Sequence, residues 1–276
     1  MSVQHGQFSV EGEPMTYCVG ILVRDGLAML ADTRTNAGLD NVSSYRKLRV
    51  IDAGPGRTMV VASAGSLSVT QAAMTRLTDA MLLAAVGEDG GERAGAPETL
   101  ATAPTMFRAA TLIGQALHAA RAAVDEAVGG DRISTSATLL FGGCIAGRKP
   151  RLFLIYASGN FIECQPDTPY LQIGEHKYGK PILDRVVQYD TPIAEAVKVA
   201  LISFTSTMRS NLAVGLPIDL MVLRSGETEP ELVHRITDDD DYYRELTERW
   251  SAAMRNATAS IPLPPYGAAA GQGVLV

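Results

Sequence analysis

The feature that most constrains the fold is the order in which two hydrophobic periods succeed one another along the chain. Strand-like apolar stretches come first, at residues 16–23, 27–31, 45–51 and 58–64. The period then lengthens: Val69, Ala72, Ala73, Leu77, Ala80 and Leu83 share one helical face, and residues 107–128 are helical again. Strand patterns return at 135–145, 152–156 and 161–164, followed by helical stretches at 179–188 and 192–212. Two late strands, 218–223 and 231–236, precede a last helix running through Met254. A parallel doubly wound sheet would alternate strand and helix strictly. Strands in blocks, separated by helices in pairs, predict an α+β chain: a four-layer αββα sandwich of two antiparallel sheets between helical layers.

Turn chemistry supports these divisions. Asp25-Gly26 between the first two strands is a strong hairpin signal. Residues 33–44 are polar and rich in turn formers, which predicts a loop, and the Gly-, Ala- and Pro-rich stretch 87–104 predicts an exposed excursion. No linker or internal repeat divides the chain, so residues 16–257 are expected to form one domain, with 1–15 as a leader and 258–276 as a C-terminal tail. Acidic residues favour the positive end of a helix dipole, and Asp238 to Asp241 are expected to open the last helix in this way and not to hold a metal.

Composition narrows the function classes. The chain has 276 residues and a formal net charge of -6, with both signs mixed, which argues against a nucleic-acid or membrane-surface protein. No run approaches the length of a membrane span. Residues 1–14 lack the basic start and apolar core of a secretory signal. Cys18, Cys144 and Cys164 are few, odd in number and far apart, as in a reduced cytoplasmic protein. Phosphate-loop, dinucleotide, zinc-protease and serine-hydrolase motifs are absent, and no metal or organic cofactor is implied.

The candidate chemistry lies at the ends of the first strands: Thr16 in Met15-Thr16-Tyr17-Cys18-Val19-Gly20, Asp32 in Asp32-Thr33-Arg34, Lys47, and Gly65 closing the fourth strand. Singly, each has an ordinary structural reading: a strand start, a loop cap, a solvated strand residue and a strand-to-helix link. Their order and spacing resemble the 20S-proteasome β-subunit superfamily. The first segment, with Ala31-Asp32-Thr33-Arg34-Thr35-Asn36-Ala37-Gly38 and Tyr45-Arg46-Lys47-Leu48, is most similar to the bacterial proteasome-type proteases called Anbu (ancestral β subunit).

That resemblance implies an N-terminal-nucleophile hydrolase fold and a threonine peptidase. A threonine hydroxyl needs a base. If Thr16 becomes the first residue, its own α-amine, of pKa about 8, can serve. A lysine ammonium nearby lowers that pKa further, and an aspartate holds the lysine in place; Lys47 and Asp32 match these roles. The Gly65 N–H matches the oxyanion donor, whose contribution is typically about 3 kcal/mol. Two supports of the family differ. Its Gly-Ser-Gly element corresponds to Gly174-Glu175-His176, making Glu175 a possible substitute support, and its later aspartate and serine fall on Ser210 and Ala213.

Thr16 must also become first. The simplest expectation is that translation begins at Met15 and methionine removal exposes Thr16, with residues 1–14 an upstream mis-start or appended sequence. The alternative is a propeptide removed by self-cleavage. The resemblance further implies a homo-oligomer acting on peptide or unfolded-protein substrates; the sequence points to no particular unfoldase partner. Two other readings stand beside the peptidase: a structural assembly subunit with vestigial catalysis, and an N-terminal-nucleophile amidase for a small molecule.

Overall fold

The computed structural model describes residues 16–36, 42–86, 97–129 and 134–266. The expected leader 1–15, the 87–96 part of the excursion and the tail from 267 onward lie outside the described residues. The first block holds strands β1 (Tyr17–Val23), β2 (Gly26–Asp32), β3 (Arg34–Asn36), β4 (Val42–Ser44), β5 (Leu48–Asp52) and β6 (Arg57–Gly65), then helices α1 (Leu67–Val86) and α2 (Met106–Val128). The second holds β7 (Ala137–Ile145), β8 (Arg151–Ile155), β9 (Phe161–Glu163) and β10 (Tyr170–Gly174), then α3 (Lys180–Val186) and α4 (Ile193–Ser210). Strands β11 (Ile218–Arg224) and β12 (Leu232–Ile236) and helix α5 (Asp241–Ser260) close the chain.

Two five-stranded antiparallel sheets result. One has the order β10-β1-β2-β11-β12 and the other β5-β6-β7-β8-β9. Helices α1 and α2 pack on β7 and β8, and α4 packs on β1 and β2 with α3 beside it. The sheets face each other across a core that includes Cys18, Leu27, Met29, Leu140, Leu152 and Met221. Burying a leucine or methionine side chain contributes about 1.5–3 kcal/mol, so this layer is a main source of the fold's cohesion. A second core, with Val61, Ile113, Leu117, Phe141 and Phe153, fills the space under α1 and α2. This is the α+β sandwich that the order of periods predicts.

The chain divides into two compact units at Asp238/Asp239. In the second, Asp240 caps α5 by accepting the N–H of Tyr243 at 2.7 Å, and the helix runs past Met254 to Ser260.

Four local features depart from the sequence reading, the first being that Leu100 and Ala103, in a stretch expected to be exposed, are buried in the core under α1 and α2. The polar stretch 33–44 contains a two-stranded ribbon, β3 with β4, where a plain loop was expected. Lys47 falls one residue ahead of β5, not within a strand beginning at Tyr45. Strand β10 has no counterpart in the sequence reading, yet it forms the edge against which β1 aligns, with Tyr17 opposite Gly174 and Cys18 opposite Ile173.

Candidate active site

Four chain segments meet where β1 begins. Asp32 is the last residue of β2 and is fully buried. Its Oδ1 accepts from Lys47 Nζ at 2.8 Å and from the Tyr17 N–H at 3.0 Å, and its Oδ2 accepts from the Arg34 N–H at 3.2 Å. Lys47 is buried too, and its ammonium also donates to the Arg34 carbonyl at 2.6 Å. One carboxylate thus ties together the residue after Thr16, the start of β3 and the lysine before β5. Burial pushes the Asp32 carboxyl above its ordinary range, while the Lys47 charge and hydrogen bond and the two N–H donors pull it back.

Thr16 is itself 5% exposed. Its carbonyl accepts the Glu175 N–H at 2.6 Å. This closeness requires Gly174, whose φ is +78° and where a Cβ would lie 1.8 Å from the Thr16 oxygen. The next residue along β1, Tyr17, turns its ring to the other side of the sheet, where its hydroxyl bonds Ser203 and Gln172 and its ring meets Phe204. Burial raises the Tyr17 phenol, with Ser203 and Gln172 opposing.

Gly65 ends β6 at the same end of the sandwich. The Cys18 thiol donates to the Ser63 carbonyl at 3.6 Å, so β1 two residues past Thr16 touches β6 two residues before Gly65. Gly65 has φ +97°, and a Cβ there would come within 2.3 Å of the Ser136 carbonyl, so only glycine fits the turn into α1. The burial that places Cys18 here raises its thiol well above the ordinary range and keeps it a core residue.

Of the two possible supports, Glu175 is buried and its Oε2 accepts from Asn211 Nδ2 at 3.1 Å. Ser210 is exposed at the end of α4. Asn211, the residue after it, makes the contact, between the positions Ser210 and Ala213 on which the family's aspartate and serine fall. The signal available was its position: an asparagine immediately after a long helix can turn its amide inward where the chain leaves the helix. The segment beyond is held by Arg34, whose guanidinium donates to the Leu212 carbonyl at 2.8 Å, and by Thr33, which donates its N–H and hydroxyl to the Pro217 carbonyl at 3.0 and 2.9 Å.

The fold has close counterparts among solved structures. Anbu from Hyphomicrobium sp. strain MC1 is 43% identical with a TM-score of 0.78, covering 90% of this chain and 99% of that one. Anbu (ancestral β-subunit) from Yersinia bercovieri is 42% identical with a TM-score of 0.80, covering 91% and 100%. The chain belongs to the Anbu family. The Pseudomonas aeruginosa Anbu complex, described as a helical assembly, is 39% identical with a TM-score of 0.80, covering 91% of this chain and 98% of that one. No protein-family model and no curated protein matches the chain. Its Anbu membership makes it a proteasome-like β-subunit homologue with an N-terminal-nucleophile hydrolase fold. Among the described residues, no helix is long and apolar enough to cross a membrane.

Proposed function

We propose that this Anbu chain, processed so that Thr16 comes first, is a threonine-type peptidase that works in the cytoplasm within a homo-oligomeric assembly. The observation that carries the reading is the buried Lys47–Asp32 pair, bonded through the Tyr17 N–H to the residue beside Thr16. A buried ion pair is an expensive way to stabilise a core. It is well suited to hold an ammonium next to a nucleophile, where it favours the neutral α-amine.

In the reaction so proposed, the neutral α-amine of Thr16 takes the Oγ1 proton as Oγ1 attacks the peptide carbonyl carbon. The Gly65 N–H stabilises the oxyanion. Collapse expels the amine half of the substrate, which receives the proton, and leaves an ester on Thr16. Water, activated by the same amine, hydrolyses that ester. The domain doing this is taken to span residues 16–257. The helical assembly described for the Pseudomonas relative supports an oligomer in which identical subunits meet through heterologous contacts.

Intact mass spectrometry of protein purified from its native host is expected to show a chain starting at Thr16. Treatment with an epoxyketone or β-lactone is then expected to leave an adduct on Thr16. A chain that retains Met15, or a free Thr16 that never reacts, favours the assembly-subunit reading instead.

A further inference from the structure

We propose that Glu175 is a positioning residue for the nucleophile: its carboxylate is the counter-charge of the α-ammonium that appears when Thr16 becomes the first residue. The inference rests on the reading of Thr16 as an N-terminal nucleophile. Cys18 and Ile173 are directly opposite in the β1–β10 register, and both point into the core between the sheets. Two residues further, just past the end of β10 at Gly174, the Glu175 N–H bonds the Thr16 carbonyl at 2.6 Å and sets the two residues side by side.

The charge balance points the same way. Glu175 is 8% exposed. Its partners are the Asn211 amide at 3.1 Å and the Lys177 N–H at 3.4 Å, both neutral. Buried charges are normally paired. The other charged groups around Thr16 are committed elsewhere or exposed, the Lys177 side chain among the exposed ones. Lys47 neutralises Asp32, and the Arg34 guanidinium bonds the Leu212 carbonyl. The His176 ring bonds the Gly174 carbonyl and is exposed, and Arg209 is exposed in the last turn of α4. The Cys18 thiol, on β1 itself, is pushed up by burial, which disfavours its charged form. A cation at the Thr16 nitrogen completes the set.

Glu175 then opposes Lys47. The lysine favours the neutral, basic form of the amine, and the carboxylate favours its charged form and holds it in place. The amine's pKa is set between these two charges. Glu175→Gln removes the charge at nearly the same volume and keeps one side-chain oxygen, which can accept from either Asn211 or the Lys177 N–H, so it tests the counter-charge with little change in packing.

The test is the pH dependence of acetylation of the Thr16 α-amine by trace acetic anhydride, read by mass spectrometry on protein whose intact mass shows Thr16 first. Glu175→Gln is expected to lower the amine's titration midpoint by on the order of half a pH unit or more. Glu175→Asp is expected to restore part of the shift. Where the amine also drives turnover, the acid limb of kcat/KM is expected to move by the same amount. An unchanged midpoint in Glu175→Gln, in a folded protein whose Thr16 still reacts with epoxyketone, overturns the counter-charge and leaves the nucleophile reading standing. A chain that never begins at Thr16 overturns both.

Discussion

Two ion pairs lie one residue apart on neighbouring strands and behave as opposites. Asp32 is opposite Ile218 across β2 and β11, and Asp219 is opposite Ala31. Asp219 is gripped by Arg235 in a two-point contact, 2.7 and 2.9 Å, with the Arg46 guanidinium nitrogen Nε at 3.8 Å from its second oxygen. Asp32 has a single contact to Lys47 at 2.8 Å. On geometry the arginine pair is the stronger one. Yet the Arg235 side chain is 37% exposed and that of Lys47 only 4%. Water screens the first pair, and its loss leaves Asp219 a second guanidinium. Nothing screens the second. Removing one member there strands a charge in the core, so burial and not contact geometry decides which pair matters.

The sharpest way to break this comparison is Lys47→Ala. It is expected to abolish amide hydrolysis and to lower stability by about 3–5 kcal/mol, because Asp32 is left buried without its cation. Activity assays beside urea denaturation check both parts. The double variant Lys47→Met with Asp32→Asn, which strands no charge, is expected to regain most of the stability and none of the activity.

A smaller effect is expected from pH. Burial raises the Asp32 carboxyl in the folded state, so the folded chain holds that proton at a pH where the unfolded chain has released it. The contribution of Asp32 to stability is therefore largest in acid and declines as pH rises through the folded-state value. The difference in unfolding free energy between the protein and Asp32→Asn, followed from about pH 3 to neutrality, is expected to fall with rising pH. A flat difference contradicts the raised carboxyl.

The smallest effect is expected from Arg235→Ala. Exposed ion pairs contribute about 0.2–1 kcal/mol, and Arg46 remains near Asp219. Stability is expected to change by less than about 1 kcal/mol, with turnover unaffected. A loss comparable to that of Lys47→Ala would erase the distinction between the two pairs.

Much of this end of the molecule was legible in the sequence because its parts are local. Asp25-Gly26 fixes the β1–β2 hairpin, and the hairpin brings Asp32 beside Tyr17. The order of helical and strand periods gives the layers. The rest depends on partners distant in sequence. Strand β10 is short, follows Pro169 and includes Gln172 and Gly174, so no alternating run announces it; pairing with β1 makes it a strand. Residues 33–44 are polar and still contain the β3–β4 ribbon, because its strands pair through the backbone. Lys47 reads as a solvated residue until its burial against Asp32 is seen. Asn211 acquires its role only when Glu175 arrives from the far side of α3 and α4, 36 residues earlier in the chain.

The order of the sheet that begins beside Thr16, β10-β1-β2-β11-β12, also sets a clock. Its first two strands are made early, but their flanking partners begin only at Tyr170 and Ile218. Ribosomes add about 5–20 residues each second, so some tens of seconds separate the synthesis of Thr16 from that of the last strands around it. Throughout that interval Thr16 belongs to an incomplete sheet whose long-range pairings have yet to form. An aminopeptidase acting on the nascent chain would need none of those later strands. Self-cleavage could begin only after β10 and β11 had joined. The time at which Thr16 is exposed, measured against the growing chain, would therefore distinguish the two routes to a free amine.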